Sequence, residues 1–136
     1  MPEPRGSGHG GEIQRPLALV VDDDPDVREL VQLALGHAGF GTAVARDGDE
    51  ALAASRRLRP DVIVLDVMLP GQSGIEVCEE LRSSDLAEIP VVLLTARAQD
   101  DDIDRGFDAG AVDYVVKPFS PRALARRLEA VVARAA

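Results

Sequence analysis

The sequence predicts an α/β domain built on a parallel sheet. From Pro16 onward, short β-branched or aliphatic runs alternate five times with longer segments of helical period. The chain is 136 residues long and 46% hydrophobic, enough for one core and too little for two ordinary domains. Several of the apolar runs end on a polar residue, which is where a parallel sheet places its ligands.

The first strand is read over Leu17 to Val21. Asp24 follows as a helix N-cap with Pro25 at the first helical position, where its missing N–H costs nothing. Val27, Leu30, Val31 and Ala34 mark the expected buried face of this helix. Gly39 and Gly41 punctuate the turn into a short second strand around Thr42 to Ala45, whose weak signal suits an edge. Asp47 caps a second helix running through Ala51, Leu52 and Ser55.

Val62 to Leu65 is a continuous apolar run, the mark of a strand covered on both faces, and it ends directly on Asp66. A loop, Met68-Leu69-Pro70-Gly71-Gln72-Ser73-Gly74, leads to a third helix carrying Ile75, Val77, Cys78 and Leu81. The fourth strand is Val91 to Leu94, closed by Thr95, and the fourth helix runs from about Asp100 to Ala109. The last strand is Tyr114 to Val116; Lys117-Pro118 follows, and Ser120-Pro121 opens a final helix with Leu124, Leu128 and Val131 inward.

Residues 1–15 are rich in Gly, Pro and polar residues and read as a flexible tail before a single domain at 16–136. The net charge of -9 opposes a broad electrostatic grip on nucleic acid or anionic lipid, so no direct nucleic-acid binding and no membrane association are expected. Cys78 is the only cysteine, and neither His9 nor His37 has thiol partners for a zinc cluster. With no apolar run of about 20 residues and no signal-peptide pattern, the expectation is a soluble, cytoplasmic protein. Among fifteen Lys and Arg residues, the single lysine is Lys117, which points to a place requiring a compact point charge.

Four strand ends deliver polar groups to one rim: Asp22-Asp23-Asp24, Asp66, Thr95 and Lys117. Crowded carboxylates repel unless a hard cation compensates, and oxygen-rich sites with room for water suit Mg²⁺, with Asp23 and Asp66 the foremost ligand candidates. A carboxylate held by metal stays ionised and can attack phosphorus, giving an aspartyl phosphate. Thr95 supplies a hydroxyl and Lys117 an ammonium to neutralise phosphoryl oxygens. Asp24 and Asp26 read instead as helix-terminal residues.

The stretches VVDDDPDVREL, VIVLDVMLPGQSG, VVLLTA and DYVVKPFSPRAL, in this order, resemble the receiver domain of bacterial two-component response regulators, from about Leu17 to the C-terminus. That resemblance implies a doubly wound, flavodoxin-like five-stranded sheet of order 2-1-3-4-5, helices on both faces, and phosphorylation of Asp66 by a histidine kinase or phosphotransfer protein. It implies a metal set of Asp22, Asp23, Asp66 and the Met68 backbone carbonyl, with Asp22 acting through water. It also implies a Lys117–Pro118 cis peptide and a Thr95 and Tyr114 switch pair; Met68 and Arg97, which flank the site, should influence the lifetime of the phosphorylated form. The domain would assist its own phosphorylation and dephosphorylation rather than serve as an enzyme.

KPFSPRAL looks most like the subgroup carrying a winged-helix DNA-binding domain, whose members pair through the fourth helix, fifth strand and fifth helix. Ile103, Val112 and Ala123 stand where that subgroup carries charges, whereas Asp108, Asp113 and Arg127 keep theirs, so a homodimer or an output partner on this face would make different contacts. A stand-alone regulator and the receiver of a larger one are both compatible with the sequence. Two other readings compete: a receiver-like interaction module that carries no phosphate, and a phosphatase of the haloacid dehalogenase type. Against the phosphatase stand Asp26 where Thr or Val is expected, the absence of a cap-sized insertion and the short chain.

Overall fold

A computed structural model describes residues 15–96 and 100–135. Of the segment read as a tail, only Arg15 lies within the described residues. The elements run β1 (Leu17–Val21), α1 (Pro25–His37), β2 (Gly41–Ala45), α2 (Gly48–Leu58), β3 (Val62–Asp66), α3 (Gly74–Arg82), β4 (Val91–Thr95), α4 (Asp100–Asp108), β5 (Asp113–Val116) and α5 (Pro121–Ala135). The strands form one parallel sheet in the order β2-β1-β3-β4-β5, the doubly wound arrangement expected of the sequence.

The two-residue period of the strands divides the core. Ala18, Val20, Val62, Val64, Val92 and Leu94 face α1 and α5, meeting Val31, Leu35, Leu124 and Leu128. Leu19, Val21, Ile63, Leu65 and Leu93 face the other way, onto Leu52 of α2 and Ile75, Val77 and Leu81 of α3. Because both faces are covered, β3 and β4 can be apolar throughout until their last residues.

Local signals set the helix starts. Asp24 accepts a hydrogen bond from the Asp26 amide at 2.9 Å, and Asp47 one from Glu50 at 2.9 Å. Ser73 and Glu76 form a reciprocal capping box at 3.2 and 2.9 Å. Ser120 accepts from the Ala123 amide at 3.2 Å. Gly39, at φ +94°, makes the turn from α1 to β2 in a conformation that most side chains resist.

One buried face differs from expectation. Leu30 is largely exposed, and the inner face of α1 is formed by Val31 and Leu35 with Val27 beside them. At about 100° per residue, Val27, Val31 and Leu35 sweep one continuous arc, and Leu30 falls at its edge. The helix is rotated toward Leu35 because it packs in the groove between the sheet and α5.

Candidate functional site

The site forms where β1, β3 and β4 end and the chain leaves β5. Beyond β1, the Asp22 amide makes a last ladder bond to the Ala45 carbonyl at 3.2 Å, leaving the Asp22 side chain fully buried. One carboxylate oxygen of Asp22 accepts from the Asp24 amide at 3.0 Å, and the other from Lys117 Nζ at 2.9 Å. Asp66, the last residue of β3, is paired in register with Leu94 and is also buried. Its Oδ1 accepts from the Met68 amide at 3.1 Å, and its Oδ2 lies 3.3 Å from Lys117 Nζ. Lys117 itself is placed by its amide, which donates to the Thr95 carbonyl at 2.7 Å, and the peptide bond to Pro118 is cis.

The loop after β3 folds back closely enough that the Gly74 amide donates to the Val67 carbonyl at 2.9 Å. A Cβ on Gly74 would sit 2.2 Å from the backbone oxygen of Asp66. Gly74 is therefore a packing requirement of the Asp66 strand end, which the sequence reading treated only as part of a loop. Its signal was a glycine at the first helical position after a serine cap, where glycine is not needed for the helix itself.

Burial raises the Asp66 carboxyl above its ordinary value, and the nearby Asp22 charge adds to the rise, while the Met68 amide and Lys117 oppose it. Burial pushes the Lys117 ammonium down, but its hydrogen bond to Asp22 and the charges of Asp66 and Asp22 outweigh that, so it is raised overall. Carboxylate oxygens from Asp22, Asp23 and Asp66 all lie within 4.8 Å of one another. Three carboxylates against one ammonium form an anionic, all-oxygen donor set that can hold a divalent cation. Asp23 is exposed to an open concavity that Met68, Pro70, Ala96 and Lys117 also line.

Thr95 is buried at the end of β4. Tyr114 pairs in register with Leu93, two residues before Thr95, so Thr95 and Tyr114 lie on the same face of the sheet. Both line a cavity of about 10 Å³ between β4, β5 and α4, with Ile103 and Phe107 on its helical side. The Tyr114 ring meets Phe107 edge to face, centroids 5.9 Å apart. On the outer surface, Phe107 and Val112 are exposed, Ile103 is half-buried, and Arg127 bonds Asp113 at 2.8 Å and the Tyr114 carbonyl at 3.1 Å. Ala123 is exposed, and the Asp108 carbonyl accepts from Arg82. Arg97 lies outside the described residues.

The chain is 46% identical over 123 residues to the DNA-binding response regulator MtrA of Mycolicibacterium smegmatis, covering 90% of this chain and 53% of that protein. It is 49% identical over 116 residues to the probable transcriptional regulatory protein TcrX of Mycobacterium tuberculosis, covering 85% of this chain and 49% of that one. The chain thus spans about half the length of these curated relatives. Among solved structures, the Francisella response regulator 1452 receiver domain superposes with a TM-score of 0.85 at 34% identity, over 90% of this chain and all of that one. The BeF3-activated DrrB receiver domain gives 0.81 at 36% identity, over 89% of this chain and all of that one. The model of the response regulator receiver domain matches residues 18–129, a span that contains all three clustered aspartates and Lys117. Sheet order, the acidic cluster and this match agree, and the chain belongs to the receiver domain family of two-component signalling.

Proposed function

We propose that Asp66 accepts a phosphoryl group from a histidine kinase or phosphotransfer protein in a Mg²⁺-dependent reaction, and that the α4, β5 and α5 surface changes in response. The observation that carries this reading is the position of Asp66. Its carboxylate ends a rigid central strand, next to Asp22 and Asp23 and 3.3 Å from the Lys117 ammonium. The Asp66 oxygen forms the new bond to phosphorus as the bond from phosphorus to the donor breaks. Asp23, Asp66 and the Met68 carbonyl would hold Mg²⁺ directly, with Asp22 acting through water. The cation supplies neutralisation of charge on the phosphoryl oxygens when bound. Lys117 neutralises a further oxygen, and the Thr95 hydroxyl donates to another. Thr95 moving toward the phosphoryl group would open space beside Tyr114, whose ring turns inward from Phe107.

In this reading residues 16–136 form the receiver, which works in the cytoplasm and assists its own phosphorylation and dephosphorylation. The KPFSPRAL segment supports an output of the winged-helix class and the name of MtrA a DNA-binding one, for the receiver of a larger regulator, with a stand-alone regulator as the alternative. The test is incubation with Mg²⁺ and acetyl phosphate, followed by intact mass and gel filtration, for wild type, Asp66→Asn and an EDTA control. A single phosphoryl adduct that needs both Mg²⁺ and Asp66 is expected. A folded protein that takes no adduct would instead mark a phosphate-free interaction module.

A further inference from the structure

The geometry points to Arg28 as a positioning residue for the cation site, holding the Asp22–Asp23 peptide in place through its side-chain bond to the Asp22 carbonyl. The inference rests on the reading of the acidic cluster as a Mg²⁺ site. Arg28 Nη1 donates to the backbone oxygen of Asp22 at 2.9 Å. That oxygen belongs to the residue just beyond β1, where ladder pairing stops and the chain turns toward α1. The next residue is Asp23, the exposed member of the acidic cluster. A carbonyl fixed at this point fixes the direction in which Asp23 leaves the sheet.

The location of Arg28 is costly by local rules. It lies in the first turn of α1, where the positive end of the helix dipole favours acids over arginine. A local rule broken without local gain points to a gain elsewhere. Here the gain is the bond to the Asp22 carbonyl, and the Arg28 charge is only the smallest of several influences on Glu50 of α2. The Glu50 carboxyl is held below its ordinary value, first by hydrogen bonds from the Arg46 side chain and amide and then by the charges of Arg46 and Arg28. The bond to the Asp22 carbonyl ties the start of α1 to the loop that presents Asp23.

Two roles for Arg28 predict opposite signs. If it acted only as a positive charge near the cation site, removing it would tighten cation binding. If it positions the loop, removing it loosens Asp23 and weakens binding, by about tenfold for an outer-shell partner. The experiment is titration of the metal-free protein with Mn²⁺, as a probe for Mg²⁺, followed by the electron paramagnetic resonance of free Mn²⁺. Wild type, Arg28→Ala, Arg28→Lys and Asp23→Asn are compared, with a thermal melt of each in EDTA.

Binding by Arg28→Ala about tenfold weaker than wild type, with partial recovery in Arg28→Lys, is the expected result. Should Arg28→Ala prove poorly folded in the melt, Arg28→Lys alone decides: it keeps the charge, so any weakening reports the lost guanidinium geometry. Unchanged or tighter binding in a folded Arg28 variant, with Asp23→Asn still defective, overturns the positioning role and leaves the cation site standing. Wild type that binds no Mn²⁺ overturns both.

Discussion

Four residues of β3, Val62 to Leu65, and the fifth, Asp66, are buried to almost the same depth on one unbroken strand. For the four, depth is the source of stability. Val62 and Val64 pack toward α1 and α5, Ile63 and Leu65 toward α2 and α3, and each such side chain contributes about 1.5–3 kcal/mol relative to exposure. For Asp66 the same depth works the other way, because it penalises the charged form beside a second carboxylate. The body of the strand thus supplies the rigidity and the stabilisation from which its tip draws. The same division holds on β4, where Val91 to Leu94 are core and Thr95 is the polar terminus.

The widest contrast is between neighbouring substitutions. Leu65→Ala should cost about 2–5 kcal/mol in urea unfolding, while the folded fraction still takes a phosphoryl adduct. Asp66→Asn should abolish the adduct and, without Mg²⁺, raise stability at neutral pH. The sign follows from linkage: a carboxyl raised in the folded state binds its proton more tightly there than in the unfolded chain. Stability attributable to Asp66 is therefore greatest below the ordinary carboxyl range, and is lost as pH climbs from that range through the raised value. Asn has no such dependence, so the gap between the two proteins should open as pH rises over that window. An Asp66→Asn protein less stable than wild type at pH 7 in EDTA would show that the strand tip is not under electrostatic load.

Lys117 offsets part of that load. Replacing it with Met leaves Asp22 and Asp66 without their shared ammonium, at an expected cost of about 1–3 kcal/mol in EDTA. Added Mg²⁺ should shrink the deficit, since a cation among the same carboxylates serves the same electrostatic need. Thermal melts of wild type and Lys117→Met with and without Mg²⁺ measure this directly. An equal deficit in both buffers would separate the ammonium from the cation site.

The strand bodies and their polar ends were legible because each has a local mark: a short apolar run, a capping residue, and an acid or hydroxyl where the run stops. Asp66 could be picked out because it directly ends a continuous apolar run. Leu30 was misplaced because several faces of α1 are apolar, and the choice among them depends on where α5 lies. Gly74 and Arg28 escaped the sequence reading for a related reason. One is required by a backbone approach to Asp66, the other by a bond to the Asp22 carbonyl, and a contact to backbone leaves no complementary side chain to read. Thr95 and Tyr114 could be related to each other through the family resemblance, whereas their common cavity with Phe107 depends on how α4 packs.

The smallest effect tests whether depth, rather than pairing, separates the strand ends from the outer surface. Arg127 and Asp113 form an ion pair of 2.8 Å, nearly the same length as Lys117 to Asp22 at 2.9 Å. The surroundings differ: the Arg127 and Asp113 side chains are 52% and 24% exposed, those of Lys117 and Asp22 24% and 0%. Water screens the outer pair and pays most of the cost of breaking it, so Arg127→Ala should lose about 0.2–1 kcal/mol. The upper end is favoured because Arg127 also donates to the Tyr114 carbonyl, which keeps a bond in Asp113→Ala but loses it in Arg127→Ala. A double-mutant cycle with Asp113→Ala isolates the ion pair from that second bond. If its coupling energy matched the stability lost in Lys117→Met, burial would not be what makes the rim pair matter, and the energetic distinction between strand end and outer surface would fall.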